Sequence, residues 1–189
     1  TAQSMESHPV TPEEILSISK GLNTSHSSGL DEIDPSFASE FIHQIASPLA
    51  SIINCSFATG IFPKELKVAK IIPLHKSGDV DKVTNYRPIS ILPYFSKLFE
   101  RAMFSRIYNF LMKFSLLNNR QFGFRKGHST FMPLILLYSR IAEAVEHGEY
   151  TIGIFLDLAK AFDTVDQNLL IDKLSFYGFR GCVLDWLKD

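Results

Sequence analysis

Residues 151–165 read TIGIFLDLAKAFDTV and place an acid at the end of an apolar run. The run from Tyr150 to Leu156 predicts a buried strand, because it is short, apolar and bounded by polar residues. Asp157 follows it directly, and an acid in that position is common where a ligand or a metal ion binds at the carboxyl edge of a sheet. An Asp that merely caps the next helix is the alternative, and the residues alone leave both open.

Two further acids, Asp163 and Asp166, follow Asp157. Their spacing argues against a single ion shared by all three, since Asp163 and Asp166 fall at the following turn and helix start. We expect them to cap that helix and complement its dipole. Thr164 with Gln167 forms a capping-box pattern, which predicts a helix that Gly178 ends. Ala159 occupies the second acidic position of a strand followed by Asp-x-Asp, and this disfavours aspartyl-phosphate chemistry.

Upstream, the patterns predict a helix from Ser129 or Thr130 to His147 and a glycine-rich loop at 121–130. Apolar residues at helical spacing predict a basic amphipathic helix at 94–113, with its phenylalanines in the core. Runs 69–76 and 85–92 predict a two-stranded hairpin with Lys76 and Arg87 near its exposed end. Helix starts at Pro12 and Pro35, and a stop at Gly60, complete the pattern.

The charge is unevenly distributed along the 189 residues. Residues 1–63 carry a net charge of −6, residues 64–140 carry +10 and residues 141–189 carry −5, so the total of −1 hides a basic middle. Clustered cations of this kind are expected for a polyanion partner such as nucleic acid. Solvated helix faces are the plainer interpretation, and charge alone does not choose between them.

Composition excludes several protein classes. A hydrophobic fraction of 46% with 21% charged residues is globular, and no stretch approaches the roughly 20 apolar residues of a membrane span. Cys55 and Cys182 fit buried thiols better than a disulfide framework, and two cysteines are too few for a zinc finger. The chain starts at Thr1 and stops inside an apolar pattern, so we expect a piece of a longer polypeptide.

Four motifs in register carry a family resemblance. They are IPLHKSGD at 72–79, NYRPIS at 85–90, QFGFRKGHST at 121–130 and FLDLAKAFDTV at 155–165. In this order they resemble the fingers motifs and the first palm motif of non-LTR (LINE-like) retrotransposon reverse transcriptases. The resemblance is strong over 65–189 and weak over 11–64.

The resemblance implies an α+β fold, the fingers and incomplete palm of a right-hand polymerase, truncated before the second half of the palm. It divides the chain into an N-terminal extension at 1–63, fingers at 64–150 and the start of the palm at 151–189. The implied activity is RNA-directed DNA synthesis by two-metal nucleotidyl transfer in a longer parent.

The resemblance also implies roles for individual residues. Asp157 matches the first palm carboxylate, which binds two Mg²⁺ ions, and Leu158 would lend a backbone carbonyl to one of them. Phe162 matches the bulky residue that screens the sugar 2′ position. The remaining matches concern nucleotide binding. Lys160 and Ala161 would offer backbone N–H groups to the triphosphate, and the fingers cations Lys76 and Arg87 would contact its β- and γ-phosphates. Arg125 matches a basic residue near the nucleotide or template.

The implied partners are an RNA template, a DNA primer and a deoxynucleoside triphosphate. The hairpin cations and Asp157 are expected to face the same triphosphate cavity, and the basic segment 64–140 is expected to hold the template by its phosphates.

One departure from the family pattern limits the activity. No Tyr-x-Asp-Asp motif and no Asp-Asp pair occur in this sequence. A lone Asp157 cannot hold two Mg²⁺ ions tightly, so we expect the 189 residues to be inactive alone. Two alternatives stay open, a degenerate or co-opted RNA-binding remnant without catalysis and a globular domain with accidental motif matches.

Overall fold

The computed structural model describes residues 3–23 and 27–189. These residues form two compact units. The first runs up to Phe110 and includes Asn168–Asp189, and the second is Leu111–Gln167. The described part is mixed helix and strand with one small sheet, as the α+β prediction requires.

The first unit begins with two helices, α1 (Pro12–Gly21) and α2 (Pro35–Thr59). Both start as predicted, with proline in the first turn and a side chain before it that accepts a backbone hydrogen bond: the Thr11 hydroxyl from Glu14 N–H and the Asp34 carboxylate from Ser36 N–H. Gly60 ends α2 at φ 70°, a left-handed conformation that glycine adopts at little cost. The helix starts and the Gly60 stop are therefore confirmed.

The hairpin follows, with a short 3₁₀ turn at Lys64–Leu66 before it. Strands β1 (Lys70–His75) and β2 (Tyr86–Ile91) pair antiparallel, and a 3₁₀ turn at Val83–Asn85 precedes β2. No β1 residue is buried, and Ile71, Ile72 and Leu74 are among the exposed ones. The predicted hairpin is confirmed, and it packs little of its surface into the core.

Helix α3 (Tyr94–Lys113) supplies the centre of the first unit. Leu98, Phe99, Met103 and Phe110 are buried, which confirms the core assignment of the phenylalanine stripe. The Tyr94 hydroxyl lies 2.7 Å from the Ser19 hydroxyl, so its buried oxygen is hydrogen-bonded to α1.

The last helix, α6 (Cys182–Lys188), packs on α2. Trp186 Nε1 donates to the Ser56 hydroxyl at 2.9 Å, and the indole meets Phe57 and Phe62 edge to face. Met5 N–H donates to the Gly178 carbonyl, so the N-terminal residues also join this core. Residues 1–63 are predicted to be an extension, and that boundary stays a prediction.

The second unit contains α4 (Phe131–Glu146), which the structure forms within the predicted range, with Gly148 after it at φ 69°. None of the α4 residues is buried, although the helix is apolar on several sides. Helix α5 (Gln167–Tyr177) leads out of this unit and also has no buried residue.

Three predictions from the sequence are wrong, two of them in this region. Residues 150–157 form no strand, and Ile152, Ile154 and Leu156 are at least 80% exposed. A strand needs a ladder partner, and no segment of the described chain pairs with this one. The capping box fails because Thr164 donates to the Lys160 and Ala161 carbonyls within a turn, while α5 starts three residues later.

The cysteines are the third error, since Cys55 and Cys182 are exposed free thiols. Cys55 lies off the buried stripe of α2, between Ile53 and Phe57, and Cys182 is the first residue of α6. No helix in the described ranges is long and apolar enough to cross a membrane.

Candidate functional site

The hairpin carries two cations at its loop end. Arg87 pairs across the ladder with Leu74, and Lys76 extends the ladder by donating its N–H to the Asn85 carbonyl at 2.8 Å. Because side chains alternate between faces and cross-strand partners share one, Lys76 and Arg87 lie on the same face as diagonal neighbours. Both are exposed, and neither forms an ion pair within the described residues.

The loop between these cations is ordered by its own hydrogen bonds. Asn85 Nδ2 donates to the Asp79 carbonyl at 2.8 Å, and the Tyr86 hydroxyl donates to the Val80 carbonyl at 2.9 Å. Gly78 has φ 86°, and a Cβ there would come within 2.9 Å of Asn85 Nδ2. The loop therefore holds the hairpin end in one shape, and this fixes the backbone that carries Lys76 and Arg87.

Asp157, the acid at the end of the apolar run, lies in the second unit. Its carboxylate is exposed and has no hydrogen-bond or ion-pair partner in the described chain. It does not cap a helix, since α5 begins ten residues later with Asp166 directly before it. The alternative capping role of Asp157 is thereby excluded. Asp163 lies in the intervening turn and not at the start of α5.

The turn after Asp157 bends at Lys160, which has φ 50°. The Lys160 carbonyl accepts from Asp163 N–H at 2.9 Å and from Thr164 N–H at 3.1 Å. The N–H groups of Lys160 and Ala161 donate no hydrogen bond within the described residues. Unused donors of this kind are what an anionic ligand requires.

Phe162 lies in this turn and is 82% exposed. The ring meets Phe124 edge to face, with centroids 6.3 Å apart and planes at 83°. Phe124 belongs to the loop at 121–130, so the second unit brings that motif and the 157–165 motif together. Lys76 and Arg87 belong to the first unit, and the predicted cavity shared by these cations and Asp157 stays a prediction.

Arg125 is partly engaged by its own loop. Its Nη1 donates to the Asn118 carbonyl at 2.9 Å, and its Nε is buried without a partner among the described residues. The guanidinium therefore holds the loop 118–125 closed with one of its edges. The other guanidinium nitrogen, Nη2, is the one left for a contact with a nucleotide or template.

The basic face of α3 is smaller than its sequence indicates. Arg106 is nearly buried in an ion pair with Glu14, whereas Arg101 is exposed. Loss of hydration raises the pKa of Glu100, an effect that the positive charge of Lys97 partly offsets. Lys97, Arg101 and the exposed Lys113 are thus the cations of this helix that can meet a polyanion.

The described residues do not by themselves fit a two-metal centre. No group of three or more His, Cys, Asp or Glu side chains gathers anywhere in the described ranges. Asp157 offers a single carboxylate next to the Leu158 carbonyl, and Mg²⁺ is usually held by one or two carboxylates together with phosphate oxygens and water. These two residues can supply part of a ligand set.

The sequence did not single out Phe124, whose ring contacts that of Phe162. It stands between Gly123 and Arg125 in a loop whose sequence signals are its glycines and cations. Its ring is 89% exposed and its φ is 60°. A bulky residue in the left-handed region has no sequence signal, apart from a neighbouring glycine that permits an irregular loop.

Comparison with known proteins gives one matching family. The sequence model described as "Reverse transcriptase (RNA-dependent DNA polymerase)" matches residues 74–189. This range contains Lys76, Arg87, Arg125 and the whole turn from Asp157 to Phe162.

Three curated relatives cover most of the chain. The "probable RNA-directed DNA polymerase from transposon BS" of Drosophila melanogaster is 34% identical over 96% of the chain and 20% of the relative. The "RNA-directed DNA polymerase from mobile element jockey" of the same species is 36% identical over 82% of the chain and 17% of the relative. The "transposon TX1 uncharacterized 149 kDa protein" of Xenopus laevis is 26% identical over 95% of the chain and 14% of the relative. The chain thus spans a fifth or less of their length.

Proposed function

Because the chain belongs to the reverse transcriptase (RNA-dependent DNA polymerase) family, we propose that it forms the fingers and the first part of the palm of a retroelement RNA-directed DNA polymerase. In this proposal residues 64–150 are the fingers and residues 151–189 begin the palm. Residues 1–63 are the N-terminal extension, which packs on α3 and α6. The partners are an RNA template, a DNA primer and a deoxynucleoside triphosphate.

The observation that carries the proposal is the pair of unpaired cations on one face of the hairpin. A triphosphate is densely anionic, and two adjacent cations that are not neutralised by the protein attract and orient it. Lys76 and Arg87 thereby position the β- and γ-phosphates and offset the charge that develops on the leaving pyrophosphate. The ordered loop between them lowers the cost of holding that geometry.

The turn in the second unit contributes the other contacts. The unused N–H groups of Lys160 and Ala161 donate to triphosphate oxygens, as backbone donors do in anion-binding turns. Arg125 contributes its remaining nitrogen, Nη2, near the nucleotide or template. Phe162 lies beside the sugar and leaves no room for a 2′-hydroxyl, which favours deoxynucleotides.

The divalent ion in this proposal is Mg²⁺. Asp157 and the Leu158 carbonyl would supply hard oxygen ligands to it, together with phosphate oxygens of the substrate and water. Divalent ions held there would supply Lewis-acid chemistry for nucleotidyl transfer. The 189 residues alone are expected to bind nucleic acid but not to extend a primer.

The test compares cations on one face of the hairpin in an active polymerase that carries this chain. Lys76→Ala and Arg87→Ala should each raise the KM for deoxynucleotides about 10-fold or more, because a charge-assisted contact to phosphate is lost. Lys70→Ala is the matched control, since Lys70 is on the same face at the opposite end of β1 and should leave KM unchanged. Equal effects at all three positions would refute triphosphate binding at the loop end.

The RNA-binding alternative makes a different prediction for the same variants. A remnant that binds RNA through its general positive charge would lose affinity for RNA alike at Lys70, Lys76 and Arg87. It would also show no dependence of any reaction on Asp157.

A further inference from the structure

The exposed ring of Phe162 poses a problem for its proposed role. A phenylalanine that is 82% exposed has few contacts to hold it in one rotamer, and exposed side chains change rotamer within picoseconds to nanoseconds. A sugar gate has to keep its ring at a fixed distance from the 2′ position, because discrimination by sterics depends on position to within about 1 Å. The ring therefore needs a support.

Phe124 makes the aromatic contact that the Phe162 ring has within the described residues. The 6.3 Å centroid separation and 83° interplanar angle fall in the range preferred by edge-to-face pairs, where the positive edge of one ring meets the negative face of the other. The contact touches one side of the Phe162 ring and leaves the remainder open. A support of this kind restricts the ring without burying it.

The backbone on both sides of the contact is in an unfavourable conformation. Phe124 has φ 60° and Lys160, two residues before Phe162, has φ 50°. Left-handed backbone is costly for side chains with a Cβ, and bulky residues adopt it rarely. No buried packing compensates at Phe124, whose ring is 89% exposed. Residues held in such conformations cluster at ligand sites, where they orient a side chain.

We infer that Phe124 is a positioning residue for Phe162, holding its ring edge to face so that the ring can exclude a ribose 2′-hydroxyl. The inference rests on the proposed function, since it assigns the partner of the proposed sugar gate. Phe124 acts through Phe162 and not by a contact of its own with the sugar. Removing its ring should therefore change sugar selectivity only while the Phe162 ring is present.

The contact itself is tested by NMR on this chain with labelled phenylalanine rings. Phe162 is assigned by the signal that disappears in Phe162→Leu. Phe124→Ala should shift the Phe162 ring protons, because the ring current of the neighbour is lost. Phe131→Ala is the matched control, since it removes a ring of the second unit that is 72% exposed and should leave the signal in place. An unshifted Phe162 signal in Phe124→Ala would overturn the contact.

The role is tested by sugar selectivity in an active polymerase carrying this chain, measured as the ratio of kcat/KM for deoxy- and ribonucleotides. Phe162→Val should lower the ratio about 10- to 100-fold. Phe124→Ala should lower the ratio about 2- to 10-fold, which corresponds to the energy of an edge-to-face contact. The change should appear in the KM and kcat for ribonucleotides. Phe124→Tyr keeps an aromatic ring and should retain wild-type selectivity.

A double-mutant cycle separates the positioning role of Phe124 from the sugar-gate role of Phe162. Phe124→Ala added to Phe162→Val should have no further effect on the ratio, because the supported ring is already gone. If Phe162→Val lowers the ratio and Phe124→Ala does not, the positioning role is refuted and the gate stands. If neither changes the ratio, the gate itself is refuted, and with it the role of Phe124.

Discussion

The guanidinium of Arg106 on α3 binds both carboxylate oxygens of Glu14 on α1, at 2.7 and 2.9 Å. It also donates to the carbonyls of His8, Pro9 and Ala102. Two-point contacts of this kind are geometrically specific and stronger than neutral hydrogen bonds. Arg106 therefore links the N-terminal residues to α3. Its positive charge is neutralised by Glu14 within the protein.

Arg106→Ala is expected to destabilise the first unit by about 3 kcal/mol, since it leaves the Glu14 carboxylate and the His8 and Pro9 carbonyls without this donor. Urea unfolding followed by the fluorescence of Trp186 measures this cost. Arg101→Ala, on the exposed side of the same helix, should change stability by less than about 0.5 kcal/mol. Comparable losses in both variants would show that the Glu14 contact does not matter for folding.

A second prediction concerns acid. Asp189 accepts hydrogen bonds from the Lys67 ammonium at 2.7 Å and from Phe62 N–H at 2.8 Å, and both hold the pKa of its carboxyl below the ordinary value. A carboxyl with a lowered folded-state pKa adds stability above its unfolded-state pKa and loses it as the pH falls through the folded value. Asp189→Asn should therefore be less stable than the parent at neutral pH and match it in acid.

Thermal unfolding of both proteins across the acidic range tests this expectation. Lys67→Met provides a second arm, because removing the cation should return the pKa of Asp189 toward its ordinary value. A gap between parent and Asp189→Asn that is the same at every pH would contradict the linkage.

The elements that the sequence predicts well are those whose signals are local. Pro12 and Pro35 mark helix starts through their fixed φ, Gly60 marks a stop, and the α3 stripe marks a core. The hairpin is also local, because its strands are neighbours in the chain and need no distant partner.

The strand predicted for the apolar run before Asp157 is wrong because its signal is not local. Its composition is that of a buried strand, yet a strand is completed by hydrogen bonds to another segment, and the described chain offers none. Sequence pattern records what a segment can bury and not whether a partner is present. The capping box at Thr164 failed similarly, because the local turn at Lys160 took its hydroxyl.

The positions of individual side chains also depend on whether their determinants are local. The hairpin register that puts Lys76 and Arg87 on one face follows from two-residue alternation and is readable from the sequence. The contacts of Arg106 and Phe124 cannot be read from the sequence. Arg106 pairs with a carboxylate 92 residues away, and Phe124 packs against a ring in another motif.

A third prediction is that RNA binding by this chain depends steeply on salt. Phosphate contacts release counterions, so the logarithm of the affinity should fall linearly with the logarithm of the salt concentration. Arg101→Gln should weaken the binding of single-stranded RNA of any sequence and reduce the slope by about 0.7. Lys20→Gln, in the acidic segment 1–63, should alter neither quantity. A salt-independent affinity would count against phosphate contacts.

The most direct measurement of the central claim is primer extension on an RNA template by an active polymerase that carries this chain with Asp157→Asn. The substitution removes the negative charge of an exposed carboxylate and keeps its shape, so circular dichroism should be unchanged. We predict that synthesis falls at least about 100-fold, because a metal-binding oxygen ligand is weakened. Asp163→Asn, in the neighbouring turn, should retain synthesis. Normal extension by Asp157→Asn would contradict the assignment of Asp157 as the metal-binding carboxylate.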